Sequence, residues 1–571
     1  MDERATLEDN LHKLELLYEV GIALSAEHDT DRLMERILME AKKLCRADGG
    51  TLYMRTEDDH LRFAIVRNDS LGIALGGTTG SKVPFAPIEL HDDETQRPNH
   101  NNVATYAALI KKSVNIPDAY DTTTFDFSGT KAFDDANGYR STSFLTIPLV
   151  NHKRRVIAVL QLINAQDEDG KTIAFSRSRQ RIVEALASQA AVALENQQLI
   201  DGQRKLLESF IQMIAAAIDS KSPYTGAHCE RVPILTLMLA QAACEQGEGP
   251  FGSFNLSEDE WYELKIAAWL HDCGKVTTPV HIMDKGTKLE TINDRIETVA
   301  ARFEVLKRDA KIVMLEAKLS GENAEDAEAQ YAETVARLSE ELGFLREANV
   351  GAEFLADKSA GEIREIGKRL FIQEGLERAL LSEDEVDNLC ISRGTLTDDE
   401  RLIINGHMVQ TVQMLESLPF PANLRNVPEY AGGHHERFDG KGYPRGLYAG
   451  DMSIPARIMA IADVFEALTA QDRPYKKGKT LSESMRIMGF MKRDNHLDPE
   501  LLDLFVTSGV YKEYGRRYLP PSLIDEVDEE AILAIEPKAF ELPPEEQREE
   551  RRSGFLPRYR RLRGSVMGEI E

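Results

Sequence analysis

Between residues 180 and 219 the chain carries no proline and repeats apolar residues on alternating three- and four-residue steps. They are Val183, Leu186, Ala190, Ala193, Ile200, Leu207, Ile211, Ile214 and Ile218. That spacing is the seam of a coiled coil, interrupted at Gln197 and Arg204. It predicts one long helix over 181–219 that joins two dissimilar halves and pairs with a second copy as a homodimer. At 571 residues there is room for three or four domains, and the helix separates them.

Ahead of it, residues 7–45 have helical spacing, with Leu14, Leu17, Gly21 and Leu24 on one stripe and Leu33, Ile37 and Leu44 on the next. From Thr51 the pattern changes. Thr51–Met54, Leu61–Val66, Ser143–Val150 and Val156–Ile163 are β-rich runs bounded by Asp, Gly and Asn, as strands are. Helix, strands, further helix and a closing hairpin describe an α+β sandwich over residues 10–180.

Acidic residues number 96 against 69 basic ones, a net charge of −27. Such a surface repels nucleic-acid backbone and anionic lipid. Double-stranded DNA is therefore not an expected partner, and an anionic substrate needs a locally positive site. The five cysteines, Cys45, Cys229, Cys244, Cys273 and Cys390, are scattered and odd in number, which fits a reducing cytoplasm and no disulfide framework. The charged start, Met1 to Asn10, has no apolar signal-peptide region. Val232 to Cys244, the longest uncharged apolar stretch, falls short of a membrane span. A soluble cytoplasmic protein is expected.

Four segments of the first half, Leu16–Leu24, Asn115–Tyr120, Gly138–Ser143 and Val159–Asn164, resemble a GAF sensory domain. The resemblance implies a module that binds a small molecule, or one that only dimerises. Asn164 is followed by Ala165, and Phe175 by Ser176-Arg177. Both depart from the pattern of GAF domains that bind cyclic nucleotides, so the ligand stays open. On this reading the helix over 181–219 is a signalling helix.

In the second half, histidines and aspartates stand in apolar settings. His228 lies in Tyr224–Val232. His271-Asp272 follows Ile266–Leu270, His407 ends Ile404–His407, His434 and His435 are adjacent, and Asp463 interrupts Ile458–Val464. A carboxylate buried there without a partner is costly unless a cation or hydrogen bonds compensate. Five histidines and two aspartates supply mixed N and O ligands, a set that suits Fe or Mn, and also Zn. Seven ligands exceed one tetrahedral site and suit two metals that share a carboxylate. Such a pair can activate water and clamp a phosphoryl oxygen. Cys229 and Cys273 point away from neighbouring ligands on a helix and are expected to pack. Lys275, four residues beyond His271, is expected on the same helical face, where its ammonium would offset phosphoryl charge.

The string His434–Pro444, with Gly446-Leu447, Ile454-Pro455 and Arg473-Pro-Tyr475, resembles the HD-GYP branch of the HD superfamily of phosphohydrolases. The resemblance covers roughly 205–288 and 394–515. It implies an all-helical domain, over 220–515, that hydrolyses cyclic di-GMP to pGpG and in many members on to GMP. By matching positions, His228, His271, Asp272 and Asp463 would hold one metal. Asp272 would bridge to a second, held by His407, His434 and His435. Lys275 and Arg473 would contact phosphate, and Tyr443 would shape the substrate side. Tyr224 stands where some members place a Glu for a third metal, so two divalent ions are favoured. Thr277–Val280 departs from the usual Gly-Ile-Pro-Asp. Two other readings remain: hydrolysis of another cyclic dinucleotide or a nucleotide phosphate, and a silent receptor for cyclic di-GMP.

An extra charged segment, 289–393, separates the motifs. Ile292, Ile296, Val299, Phe303 and Leu306 form one stripe, and Tyr331, Val335, Leu338, Leu342 and Leu345 another. They predict an inserted antiparallel helical hairpin, a partner-binding projection or an inert insertion. Residues 516–571 turn Pro- and Glu-rich and then basic, a pattern that could bind an anionic partner but on this acidic chain is expected of a solvated or self-associating tail.

Overall fold

The structure is a computed structural model describing residues 18–92, 95–221, 228–321, 323–351, 355–471 and 478–553, with side chains as far as 549. Contacts divide the chain into two compact units, Met1–Leu207 and Glu208–Glu571.

The first unit opens with helices α1 (18–25) and α2 (Thr30–Cys45). Asp29 caps α2 by accepting the Arg32 amide, and Leu33, Ile37, Leu38, Ala41 and Cys45 are buried along one face. Strands β1 (Ala47–Arg55), β2 (His60–Asn68), β3 (Ile73–Gly76) and β4 (Ile88–Glu89) follow. After helix α3 (Val103–Ile110) come β5 (Val114–Ile116), helix α4 (Ser128–Asn137), β6 (Phe144–Val150), β7 (Val156–Gln166) and β8 (Thr172–Ile173). All pairings are antiparallel, in the order β3-β2-β1-β7-β6-β5, with β4 on β2 and β8 on β7. Thr51 in β1 stands between Val66 of β2 and Gln161 of β7, so two of the other β-rich runs of this half flank it. One sheet face packs on α2. The other borders a cavity of about 760 Å³ lined by Tyr53, Phe63, Phe85, Phe127, Tyr139 and Gln161 among others.

Helix α5 runs unbroken from Arg177 to Lys221. Its seam does not serve one purpose throughout. Val183, Leu186 and Ala190 are buried in the core against the sheet, and Ile211 and Ile218 are buried in the core of the second unit. Between them two adjacent heptad rows, Leu199-Leu206-Met213 and Ile200-Leu207-Ile214, are exposed, from 38% at Leu207 to 58% at Met213.

The second unit is mainly helical. α6 (His228–Cys244) and α7 (Glu258–Leu270) pack together, and a 3₁₀ turn (Cys273–Thr277) and α8 (Val280–Met283) lead into the insertion. There α9 (Ile296–Leu319) and α10 (Ala324–Asn349) form a hairpin whose Val299, Phe303, Leu338, Leu342 and Leu345 share one core. Ile292 does not belong to that stripe. It is 98% exposed, because the helix starts only at Ile296 and 291–294 form a turn. The insertion also contains more than two helices: α11 (Asp357–Gly367), a two-stranded hairpin of β9 (Leu370–Gln373) and β10 (Leu376–Ala379), and α12 (Glu383–Leu389).

The chain returns through α13 (Asp398–Glu416), α14 (Val427–Gly432), α15 (Ile454–Thr469), α16 (Leu481–Arg493), α17 (Pro499–Thr507) and α18 (Val510–Tyr518), then ends with α19 (Glu529–Leu533) and α20 (Glu545–Ser553). The described part of 516–571 is not a solvated tail. Ile532 is buried in the main core, Phe540 meets Phe438 edge-on, and Arg548 pairs with Asp451 at 2.7 Å. A few well-spaced apolar side chains anchor a segment whose composition reads as loop. Among the described residues no helix is long and apolar enough to cross a membrane.

Candidate metal centre

The histidines and aspartates singled out in the sequence come together from five places in the second unit. His228 opens α6, His271 caps α7, and Asp272 follows it at the head of the 3₁₀ turn. His407 lies within α13, His434 and His435 just beyond α14, and Asp463 within α15. Two capping boxes fix where these helices start: Ser257 with Glu260 on α7, and Thr397 with Glu400 on α13. Gly274 lets the turn press against α13. A Cβ there would stand 2.0 Å from the His407 carbonyl oxygen and 2.6 Å from the Thr411 amide, so no other residue brings Asp272 this close to His407.

Asp272 joins two groups of side chains whose ligand atoms lie within 4.8 Å of one another. One is His228, His271 and Asp272, the other Asp272, His407, His434 and His435. Its Oδ2 stands 3.3 Å from His228 Nε2 and 3.2 Å from His271 Nε2, and its Oδ1 3.3 Å from His407 Nε2. Asp463 adds to the first group, with Oδ1 3.3 Å from His228 Nε2.

The rings are held so that Nε2 faces inward. Nδ1 of His271, His407 and His434 lies 2.6–2.7 Å from the carbonyl oxygens of Ala268, Ile404 and Ala431, each three residues earlier. A carbonyl only accepts, so Nδ1 carries a proton in each ring and Nε2 is the atom turned towards the carboxylates. His228 Nδ1 bonds instead to the carboxylate of Glu466, whose other oxygen is held by Arg231 Nε at 2.6 Å. His435 stacks on Tyr443, with centroids 4.9 Å apart.

Electrostatics prepare the same set. Burial and the charge of His271 push His434 down to about 4, and burial with His434 beside it holds His435 well below the usual imidazole range. Both rings are neutral at pH 7. Burial raises the Asp272 carboxyl, but the charges of Lys275 and His271 outweigh it, and the group stays well below the usual carboxylate range. Asp463 is likewise depressed: burial is outweighed, chiefly by the hydrogen bond from His228. Burial opposes charge on His228, yet Glu466, Asp272 and Asp463 hold its value well above normal. Asp272 Oδ1, His407 Nε2 and His434 Nε2 are buried without a hydrogen-bond partner. Buried polar atoms without partners are expensive, and a bound cation would satisfy them. The donor set therefore fits divalent metal.

Lys275 is not placed as the spacing predicts. Helix α7 stops at Leu270, and Lys275 sits on the 3₁₀ turn that follows. Its ammonium lies 2.5 Å from Asp272 Oδ2. Cys229 and Cys273 are buried packing residues. Burial pushes the Cys273 thiol up to about 12 and Cys229 higher still, so neither is a ready thiolate. Arg473 and Tyr224 lie outside the described residues. The Tyr443 loop is held from within: Glu436, buried, accepts the amides of Arg445 and Leu447 at 2.7 and 2.9 Å. Sequence reading missed Glu466, although it lies one helical turn past Asp463 on α15.

The family model described as the HD domain matches residues 383–501, and that of the GAF domain matches 29–194. The chain thus carries a GAF domain and an HD domain. His407, His434, His435 and Asp463 lie inside the HD match, while His228, His271 and Asp272 precede it. The chain is similar to 3'3'-cGAMP-specific phosphodiesterase 1 of Vibrio cholerae, with 43% identity over 113 residues, 20% of this chain and 25% of that one. It is also similar to cyclic di-GMP phosphodiesterase PA4108 of Pseudomonas aeruginosa, with 39% identity over 119 residues, 21% of this chain and 28% of that one. The chain thus spans only about a quarter of the length of these relatives. Among solved structures, the GAF domain of an Acinetobacter phosphoenolpyruvate-protein phosphotransferase is similar at 13% identity and a TM-score of 0.25, covering 34% of this chain and 98% of that one.

Proposed function

We propose that the protein is a metal-dependent phosphodiesterase that hydrolyses cyclic di-GMP to pGpG, and to GMP where hydrolysis continues, under control of its GAF domain. The observation that carries the reading is the bridging position of Asp272. Its ionised Oδ1 faces His407 Nε2 across 3.3 Å, and both atoms are buried without a hydrogen-bond partner, so a metal ion held between them would satisfy both.

Two divalent ions, Fe or Mn by the mixed N and O donors, would activate water and offset charge on the phosphoryl oxygens. His228, His271, Asp272 and Asp463 would hold one, and Asp272, His407, His434 and His435 the other. Asp272 and Asp463 stay ionised at neutral pH and supply the negative charge both sites need. Lys275, tethered to Asp272, places its ammonium beside the scissile phosphate, where Arg473 would assist. Tyr443, stacked on His435, walls the side on which a guanine base would lie. Hydrolysis adds water across one P–O3′ bond, and the 3′ oxygen leaves with a proton from solvent.

The domain limits carried into this reading are 10–180 for the sensor, 181–219 for the signalling helix and 220–515 for the phosphohydrolase, in a cytoplasmic protein. The two exposed heptad rows of α5 would pair with a second copy. The cavity beside Tyr53 and Phe63 would hold the ligand of the GAF domain.

A second reading keeps the chemistry and changes the substrate to 3'3'-cGAMP. It is favoured by the 43% identity to a phosphodiesterase named for that nucleotide. Anaerobically purified protein loaded with Mn²⁺ or Fe²⁺ is to be offered cyclic di-GMP, 3'3'-cGAMP and linear nucleotides, with products separated by chromatography. Formation of pGpG from cyclic di-GMP is expected. Cleavage of linear nucleotides alone would reject both readings, and binding of cyclic di-GMP without turnover would make the protein a receptor.

A further inference from the structure

The last turn of α5 grips the candidate centre at two points. Lys221, its final residue, directs one ammonium at three backbone carbonyls of the turn behind Asp272: Lys275 at 3.1 Å, Val276 at 2.5 Å and Thr278 at 2.6 Å. Two residues earlier, Asp219 accepts the amide of Cys229 at 3.1 Å, next to His228. Burial lowers the Lys221 pKa, and among the described residues no carboxylate pairs with it. Among the described residues the Lys221 ammonium thus meets backbone carbonyls.

The physical role of that cation follows from the turn. A 3₁₀ turn leaves its last carbonyls without partners of its own, and here only the Lys275 carbonyl gains one from the turn itself, the Thr278 amide at 3.1 Å. The carbonyls of 275, 276 and 278 converge because the chain bends, and their dipoles repel unless a positive group lies among them. The bend is also what carries the Lys275 side chain to Asp272 Oδ2.

We propose that Lys221 is a positioning residue for the metal centre: it locks the 273–278 turn in the form that presents Asp272 and Lys275. The weight given to Asp272 and Lys275 rests on the function proposed above.

The test uses the full chain with Lys221→Met, Lys221→Arg and, as a control, Lys265→Met, which removes a separate ion pair to Glu208 at 3.0 Å. In metal-free protein, amide hydrogen exchange at Lys275 and Thr278 is expected to rise at least about tenfold in Lys221→Met. It should be largely restored in Lys221→Arg and unchanged in Lys265→Met. With Mn²⁺ and the hydrolysed nucleotide, kcat should fall about 10–100-fold in Lys221→Met, the size seen when a group supporting a metal ligand is lost. Unchanged exchange at 275–278, or a rise spread evenly over the whole second unit, would overturn the proposal. Inactive wild-type protein would instead reject the phosphodiesterase reading, and the exchange measurement would still judge Lys221.

Discussion

Lys275 Nζ rests 2.5 Å from Oδ2 of Asp272, the same oxygen that faces His228 and His271. The lysine thus supports the carboxylate without belonging to the donor set, since an ammonium has no lone pair to give. The two residues should therefore separate in their effects. Lys275→Met is expected to keep the bound metal while turnover falls on the order of 10²-fold, as when one charge-stabilising donor is removed from a reaction site. Asp272→Asn is expected to lose metal and turnover together. Elemental analysis beside steady-state kinetics makes the distinction, and loss of metal in Lys275→Met would contradict it.

Glu466 acts one step further out. It is buried, bonds His228 Nδ1 and is itself held by Arg231. A carboxylate behind a histidine fixes the ring and raises its basicity, and removing such a partner typically costs 10–100-fold in metal affinity or activity. Glu466→Gln should weaken Mn²⁺ binding by about that factor in a calorimetric titration. An unaltered dissociation constant would show that His228 needs no such support.

How far the sequence revealed these roles depended on whether each residue's partner was close in the chain. His271-Asp272 and Asp463 stood out because a charge inside an apolar run is rare and needs a reason. The β-rich runs and the α5 seam were legible from their periods. Glu466 was not, since an acid near the end of a helix is ordinary until the fold places His228, 238 residues away, against it. Lys221 gave no signal either, because its acceptors are backbone carbonyls, which every residue has. The helix expected to carry Lys275 ends at Leu270, and Gly274 in the turn beyond packs where a side chain would strike α13. The β9–β10 hairpin escaped notice for the opposite reason. Its exposed Leu370, Ile372 and Leu376 show no alternation that marks a buried face.

The exposed rows of α5 lead to a prediction about assembly. Leu199, Leu206 and Met213, with Ile200, Leu207 and Ile214 beside them, repeat every seven residues over three heptads, the period of a coiled coil. Leu206→Glu with Met213→Glu should convert a dimer into a monomer in sedimentation velocity, leaving the circular dichroism of the folded units intact. A wild-type chain that sediments as a monomer at micromolar concentration would remove the basis for pairing.

His496 leads to a prediction about pH. Burial, with Arg437 beside it, pushes its pKa down to about 4, whereas an unfolded histidine titrates near 6.5. Between those values the unfolded chain binds a proton that the folded one does not, so this group's contribution is fully present above about pH 6.5 and is lost as pH falls towards 4. At pH 5 the loss amounts to about 2 kcal/mol. Urea unfolding of wild type and His496→Gln at pH 7.5 and pH 5 should show the wild type losing more stability by roughly that amount. Equal losses in the two proteins would mean that the half-buried imidazole titrates normally and that acid sensitivity arises elsewhere.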